Sequence, residues 1–158
     1  MKYLMFIAIA FSFSNSVLAD QAIVHKTGRY NENALRQSGM TIMEDYGSFV
    51  LVESPQGVQN SMLKNNNYDY NPVSDGTTIC LCNHPFDTKV GPSENIPARL
   101  KIEDYPMGTK GLYLVQFKGP IKDKWLDDLK NSGDIEIVEY IPNNTYIVRM
   151  NPTDLDNV

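Results

Sequence analysis

Cysteine, histidine and tryptophan are scarce in this 158-residue chain, which holds two, two and one of them. Two cysteines cannot staple a small loop-rich scaffold, so a disulfide-dense miniprotein is excluded. Two histidines leave only His25 and His84 as bases for a Ser-His-Asp type of chemistry. No G-x-G-x-x-G, no phosphate-binding P-loop and no G-x-S-x-G elbow occurs. Positive charge is short as well: 14 Lys+Arg against 19 Asp+Glu give a net charge of −5, without a dense basic run. That argues against a nucleic-acid binder, which shows a basic patch or stripe. The longest apolar run is well below the roughly 20 residues a bilayer span requires, which excludes a polytopic membrane protein. No collagen-like triplet period exists. With 42% hydrophobic and 21% charged residues, the chain can bury a core.

The first 19 residues, MKYLMFIAIAFSFSNSVLA, read as an export signal. Lys2 supplies the positive end, Leu4 to Phe13 the apolar stretch, and Val17 and Ala19 stand three and one before a cut ahead of Asp20. Removal takes away only Lys2 among the charges. The mature chain then carries 14 − 1 = 13 basic and 19 acidic residues, a net of −6, and works outside the cytoplasm, secreted or in the cell envelope.

Two stretches share an order of signals. Each begins with an apolar run, Ala22-Ile23-Val24 or Leu112 to Phe117, followed by a turn carrying Gly28 or Gly119. A short helix comes next. Ile121, Trp125, Leu126 and Leu129 fall on one face of the second, while Ala34 and Leu35 are the only anchors of the first. Ser38-Gly39 and Ser132-Gly133 fit a left-handed glycine after a helix. Alternating runs through Ile42 and through Ile135 and Ile137 reach Asp45-Tyr46 and Glu139-Tyr140, then turn at Gly47-Ser48 and Pro142-Asn143-Asn144. Phe49 to Val52 and Tyr146 to Val148 close the pattern. Each half therefore reads β-α-β-β, and the fold class is α+β, two related units forming two-layer sandwiches. The first unit is placed at 20–54 and the second at 111–158. Residues 55–110, rich in Pro, Gly and Asn, read as a connection with one short strand near 77–82. The second core is expected to hold Leu114, Phe117, Trp125, Leu129, Ile137 and Ile147.

Chemistry-bearing motifs are few. Cys80, Cys82 and His84 form C-x-C-x-H, which on one extended strand shares a face. Three ligands within five residues are strained for one tetrahedral ion and the fourth is missing unless His25 folds in, so no metal site is assigned. A Cys80–Cys82 disulfide closes too tight a ring. Asp127-Asp128 stand beside Lys124 and Lys130 on a predicted helix, a solvated charged face. Asn143-Asn144-Thr145 has the form of a glycosylation acceptor.

The stretch GLYLVQFKGPIKDKWLDDLKNSGDIEIVEYIPNNTYIVRM resembles the N-terminal region of secreted subtilisin-like serine proteases. HPFDTKVGPSENIPARL before it and DYGSFVLVE at 45–53 resemble matching elements there. The resemblance implies a propeptide with a ferredoxin-like β-α-β-β-α-β fold that templates and inhibits a protease domain, in cis or in trans, by docking its sheet. The blocks carrying the catalytic Asp, His and Ser are absent, so no catalytic residue and no cofactor is expected, and no peptidase activity of the chain's own. The ending NPTDLDNV reads as a helix start with Thr153 or Asp154 as cap, so the chain reads as a fragment of a longer precursor. The residues placed at a partner surface are Tyr140, Pro142, Asn143, Asn144 and Tyr146. There the turn offers carboxylates or amides to helix N-termini of the partner, and the tyrosines add contact area. The second reading is a self-contained secreted binding module with no protease partner.

Overall fold

A computed structural model describes residues 19–55, 59–73, 76–81, 84–88, 90–91, 105–106 and 108–158. The proposed export signal falls almost wholly outside them. The chain divides into two compact units, the first ending at Gly76 and the second running from Thr77.

In the first unit, β1 (Ala19–His25), α1 (Glu32–Gln37), β2 (Thr41–Asp45), β3 (Phe49–Pro55), α2 (Gln59–Asn65) and β4 (Tyr70–Val73) follow in order. Every strand pairs antiparallel, and the sheet runs β2-β3-β1-β4. Asn31 caps α1: its side-chain oxygen accepts from the Ala34 N–H at 3.0 Å, satisfying an end donor that has no partner within the helix. Gly39 follows at φ +84°, the left-handed position expected after the helix. Period two turns Ala22, Val24, Val50 and Val52 to one face of the sheet, where Leu35 of α1 and Leu63 of α2 pack on them. Complete burial of a valine or leucine side chain stabilises by roughly 1.5–3 kcal/mol. Residues 59–73 thus belong to the first unit and not, as their composition suggests, to a connection. Among the described side chains of α2, Leu63 is the fully buried anchor.

Tyr46 of the β2–β3 turn stacks on Phe49 with ring centroids 4.5 Å apart. Burial, with the Glu44 carboxylate adding to it, pushes the Tyr46 hydroxyl up to about 12 from its usual 10.0. An acid whose folded value lies above its unfolded one favours the folded state fully below the unfolded value, and that contribution fades as the unfolded chain ionises first. The first unit is therefore expected to lose stability between pH 10 and about 12. Alkaline denaturation of Tyr46→Phe should show a flatter loss over that window; an unchanged slope would contradict the assignment.

In the second unit, β5 (Thr78–Leu81) and β6 (His84–Asp87) form a hairpin, and β7 (Gly111–Gln116), α3 (Asp123–Asn131), β8 (Glu136–Ile141) and β9 (Thr145–Met150) build a sheet of order β7-β9-β8. Tyr113, Val148, Met150, Val115 and Ile137 pack with Leu129 of α3 on one face. Leu114, Ile141 and Ile147 point to the other face and meet Ile79, Leu81 and Phe86 of the hairpin. Leu114 and Ile147 therefore do not share the α3 core expected for them. They pack under a hairpin whose second strand the sequence did not suggest.

Gly133 also departs from expectation. It is absent from the positive-φ residues, and what it provides is space: a Cβ there would lie 2.8 Å from the Asp154 carboxyl carbon. The last helix starts earlier than read: it is a 3-10 helix over Pro152–Asn157, and its cap position is Asn151, two residues before Thr153, with proline at its first position, where a missing N–H costs nothing.

The β7-α3-β8-β9 run and the β1-α1-β2-β3 run share their internal geometry. In each, the register shifts in the second strand, between Ile42 and Glu44 and between Ile137 and Glu139. In each, the residue after the first strand donates to the turn before the third: Lys26 N–H to Ser48 O and Phe117 N–H to Asn144 O, both at 2.9 Å. Among the described residues the class is α+β, with antiparallel sheets and short helices.

Candidate functional site

The β8–β9 turn is built by backbone demand. Asn143 and Asn144 both sit in the left-handed region, at φ 69° and 58°. Tight hairpin loops need positive φ, and asparagine tolerates it better than other residues with a Cβ. The polar atoms of the turn then point inward. Asn143 Nδ2 donates to Thr78 O at 2.7 Å, and Asn143 O accepts from Gln116 Nε2 and from Thr145 Oγ1, each at 3.1 Å. Gln116 Oε1 in turn accepts from Thr88 Oγ1 at 2.9 Å, and that hydroxyl also lies 3.0 Å from Thr77 O. The turn is thereby latched to both ends of the β5–β6 hairpin. Gln116, Thr78 and Thr88 were not singled out by sequence, because side chain-to-backbone bonds between distant segments leave no local signal.

This geometry divides the five residues placed at a partner surface. Asn143 has its amide committed to Thr78, so it fastens the turn and does not reach outward as a helix cap. The same bond occupies the nitrogen a glycan would take, and Thr145 of that motif is fully buried. Pro142 is exposed and Asn144 half-buried. Tyr140 is 48% exposed and lies edge-on to Tyr146 at 5.3 Å.

The tyrosine pair continues inward as a row. Tyr146 meets Phe117 edge-on at 6.4 Å, Phe117 stacks on Trp125 at 6.1 Å, and the Lys122 ammonium stands 5.8 Å from the Trp125 ring centre. Edge-on and stacked pairs of this kind add roughly 0.5–1.5 kcal/mol beyond area burial. Phe117, Trp125 and Tyr146 are half-buried along the row, and Tyr140 is its exposed member. Amphipathic aromatics with one exposed end suit contact with another protein.

The remaining sequence candidates are not assembled. β5 and β6 pair antiparallel with Leu81 opposite His84 and Cys80 opposite Pro85. Cys80 and His84 thus lie on different strands of a hairpin, not on one extended strand with a shared face. Cys82 falls outside the described residues. Cys80 is free and exposed. His25, in the first unit, has its Nε2 3.0 Å from Asn71 Nδ2 and its ring edge-on to Phe49. Among the described residues no group of three or more His, Cys, Asp and Glu is placed to hold a metal ion. No described helix is long and apolar enough to cross a membrane.

Comparison with known proteins adds three findings. Serine protease/ABC transporter B family protein tagA of Dictyostelium discoideum is 36% identical over 103 residues, covering 60% of this chain. The chain spans about 6% of the length of that relative. No solved structure matches. The family model described as "Domain of unknown function (DUF8729)" matches residues 63–158, and the chain belongs to that family.

Proposed function

We propose that the chain is a propeptide-like, non-catalytic region of a secreted subtilisin-like serine protease, which templates or inhibits the protease domain by docking a sheet. The observation that carries this reading is the first unit: β-α-β-β-α-β in order, all antiparallel, strands arranged β2-β3-β1-β4 with both helices on one face. This order supports reading the first unit as the ferredoxin-like arrangement that the subtilase resemblance implies. The shared bulge position and shared turn bond of the β7-α3-β8-β9 run favour reading it as a second, related copy. A relative named a serine protease supports the connection to proteolysis.

In this account residues 1–19 export the chain, and the partner is a subtilisin-like protease domain. Tyr140, Pro142 and Tyr146 offer contact area, Asn144 borders it, and Asn143 holds the turn in shape. The chain binds and brings no nucleophile of its own. The test is hydrolysis of a chromogenic peptide by secreted subtilisin-like proteases, the protease portion of the Dictyostelium relative among them, with the full chain added. Slowed turnover that rises with chain concentration is expected. No inhibition of any of them would favour a self-contained secreted binding module instead.

A further inference from the structure

Among the described residues the four-stranded and three-stranded sheets have four edge strands, β2, β4, β7 and β8, and three of these are guarded. β2 carries a bulge with Glu44 and Asp45, and β8 carries one with Glu136 and Glu139. β4 carries Pro72. Because the His25 N–H donates to Asp69 O, alternation puts the Pro72 nitrogen on the outer side of β4, where no N–H is offered. Bulges, charges and proline are the devices that keep an edge from pairing with another chain.

β7 has none of them. Gly111-Leu112-Tyr113-Leu114-Val115-Gln116 holds no charge and no proline, and it pairs with β9 in unbroken register. The direction of its free groups follows from one bond. The Phe117 N–H donates to Asn144 O, so alternate residues back along β7 bond to β9, and Leu112, Leu114 and Gln116 turn their N–H and C=O outward. Among the described residues no strand pairs with that side.

The first unit shows what occupies the equivalent place. There Lys26 takes the part of Phe117, and the outward residues Gln21, Ile23 and His25 face β4, an antiparallel strand. The fold therefore accepts an antiparallel neighbour at this edge.

We propose that β7 is a self-association edge, on which β7 of a second copy pairs antiparallel about a two-fold axis through Leu114. Leu114 then faces the partner's Leu114, and Leu112 the partner's Gln116, which satisfies all the outward groups of both strands. The axis stands perpendicular to the sheet, so the two sheets continue as one of six strands with both α3 helices on the same side. An uncharged strand meets its own copy without like-charge repulsion, which an acidic edge such as β8 does not allow.

The experiment is sedimentation of the full chain across about two decades of concentration, with amide exchange read at each. A mass rising to twice that of the monomer is expected, with slowing exchange at Leu112, Leu114 and Gln116. Leu112→Pro removes one outward N–H per copy and none of the bonds to β9, and should weaken the dimer at least about tenfold. Leu112→Lys, which adds like charge at the edge, should act in the same direction if proline disturbs the strand. A monomer at every concentration overturns the proposal. So does concentration-independent protection of these amides, which would mean that the molecule covers the edge itself. A dimer indifferent to both variants overturns it as well.

Discussion

Ile79→Asp should detach the β5–β6 hairpin from the sheet of the second unit. Ile79 is 1% exposed and packs among Leu114 and Ile141, with Leu81, Phe86 and Ile147 around them. A carboxylate there has no cationic partner in that apolar cluster, and an unpaired buried charge is avoided rather than accommodated. The hairpin is the cheaper piece to release, since it is a two-stranded ribbon and marginal without its packing. Truncating a buried Ile to alanine costs about 2–5 kcal/mol, and the aspartate should reach the upper part of that range. Amide exchange at Thr88, whose N–H donates to Thr77 O, should accelerate most. The Tyr113–Leu129–Val148 core should keep its protection, because it lies on the opposite face. Ile79→Val, which removes one methylene, should cost only about 0.5–1.5 kcal/mol. If Ile79→Asp leaves the hairpin as protected as before, the packing described between hairpin and sheet is wrong.

Gly111→Ala should be strongly damaging, and more so than the same change at Gly28. The added Cβ would run into the edge of the Tyr105 ring, closer than any side-chain contact allows. That ring rests edge-on against Tyr113 at 5.6 Å, so displacing it disturbs a residue that is itself 1% exposed. The reason for glycine here is room and not dihedral freedom, since Gly111 is not among the positive-φ residues. Overpacking of this kind costs typically about 1–3 kcal/mol. Gly28→Ala is the matched control: nothing lies within 4 Å of its Cβ position. A Gly111→Ala, Tyr105→Ala double variant should lose less than the sum of the two single losses, because the clash needs both partners. Strict additivity would show that the ring and the glycine do not meet. Loss should be followed by exchange within the second unit, because two units need not unfold as one.

Much of this fold is legible from period and punctuation, and its failures share a cause. β7, β8 and β9 declare themselves by alternating apolar residues, and α3 by Trp125, Leu126 and Leu129 at helical spacing. α2 and β4 do not. The helix has seven residues with Leu63 as its fully buried anchor, the strand has four with Pro72 among them, and Asn65-Asn66-Asn67, which ends the helix and leaves it, reads as loop. Elements that short carry no measurable period, and the β1 edge and the α1 core hold them in place. The β5–β6 hairpin is similar: its first strand is β-prone in sequence, but its second, with Pro85 in it, exists through pairing and packing. Gly39 and Gly133 look alike in sequence, yet one serves a dihedral and the other a close approach. The sequence presents Asn143 as a reaching side chain, because exposed turns usually carry polar groups outward. Its bond to Thr78, 65 residues away, lies beyond any local pattern. The aromatic row was half visible: Tyr140 and Tyr146 through the turn they flank, Phe117 and Trp125 only as core.

The most direct test of the propeptide reading is refolding. A subtilisin-like protease domain denatured without its own propeptide is diluted into buffer with and without the full chain, and recovered peptidase activity is followed as the chain is titrated. A folding template lowers the barrier for its partner by binding native-like structure, so recovered activity should rise with chain concentration for at least one secreted subtilisin-like protease and then fall where excess chain inhibits it. Recovery equal to that of an unrelated α+β protein of the same size, across all the proteases tried and at every concentration, would contradict the account.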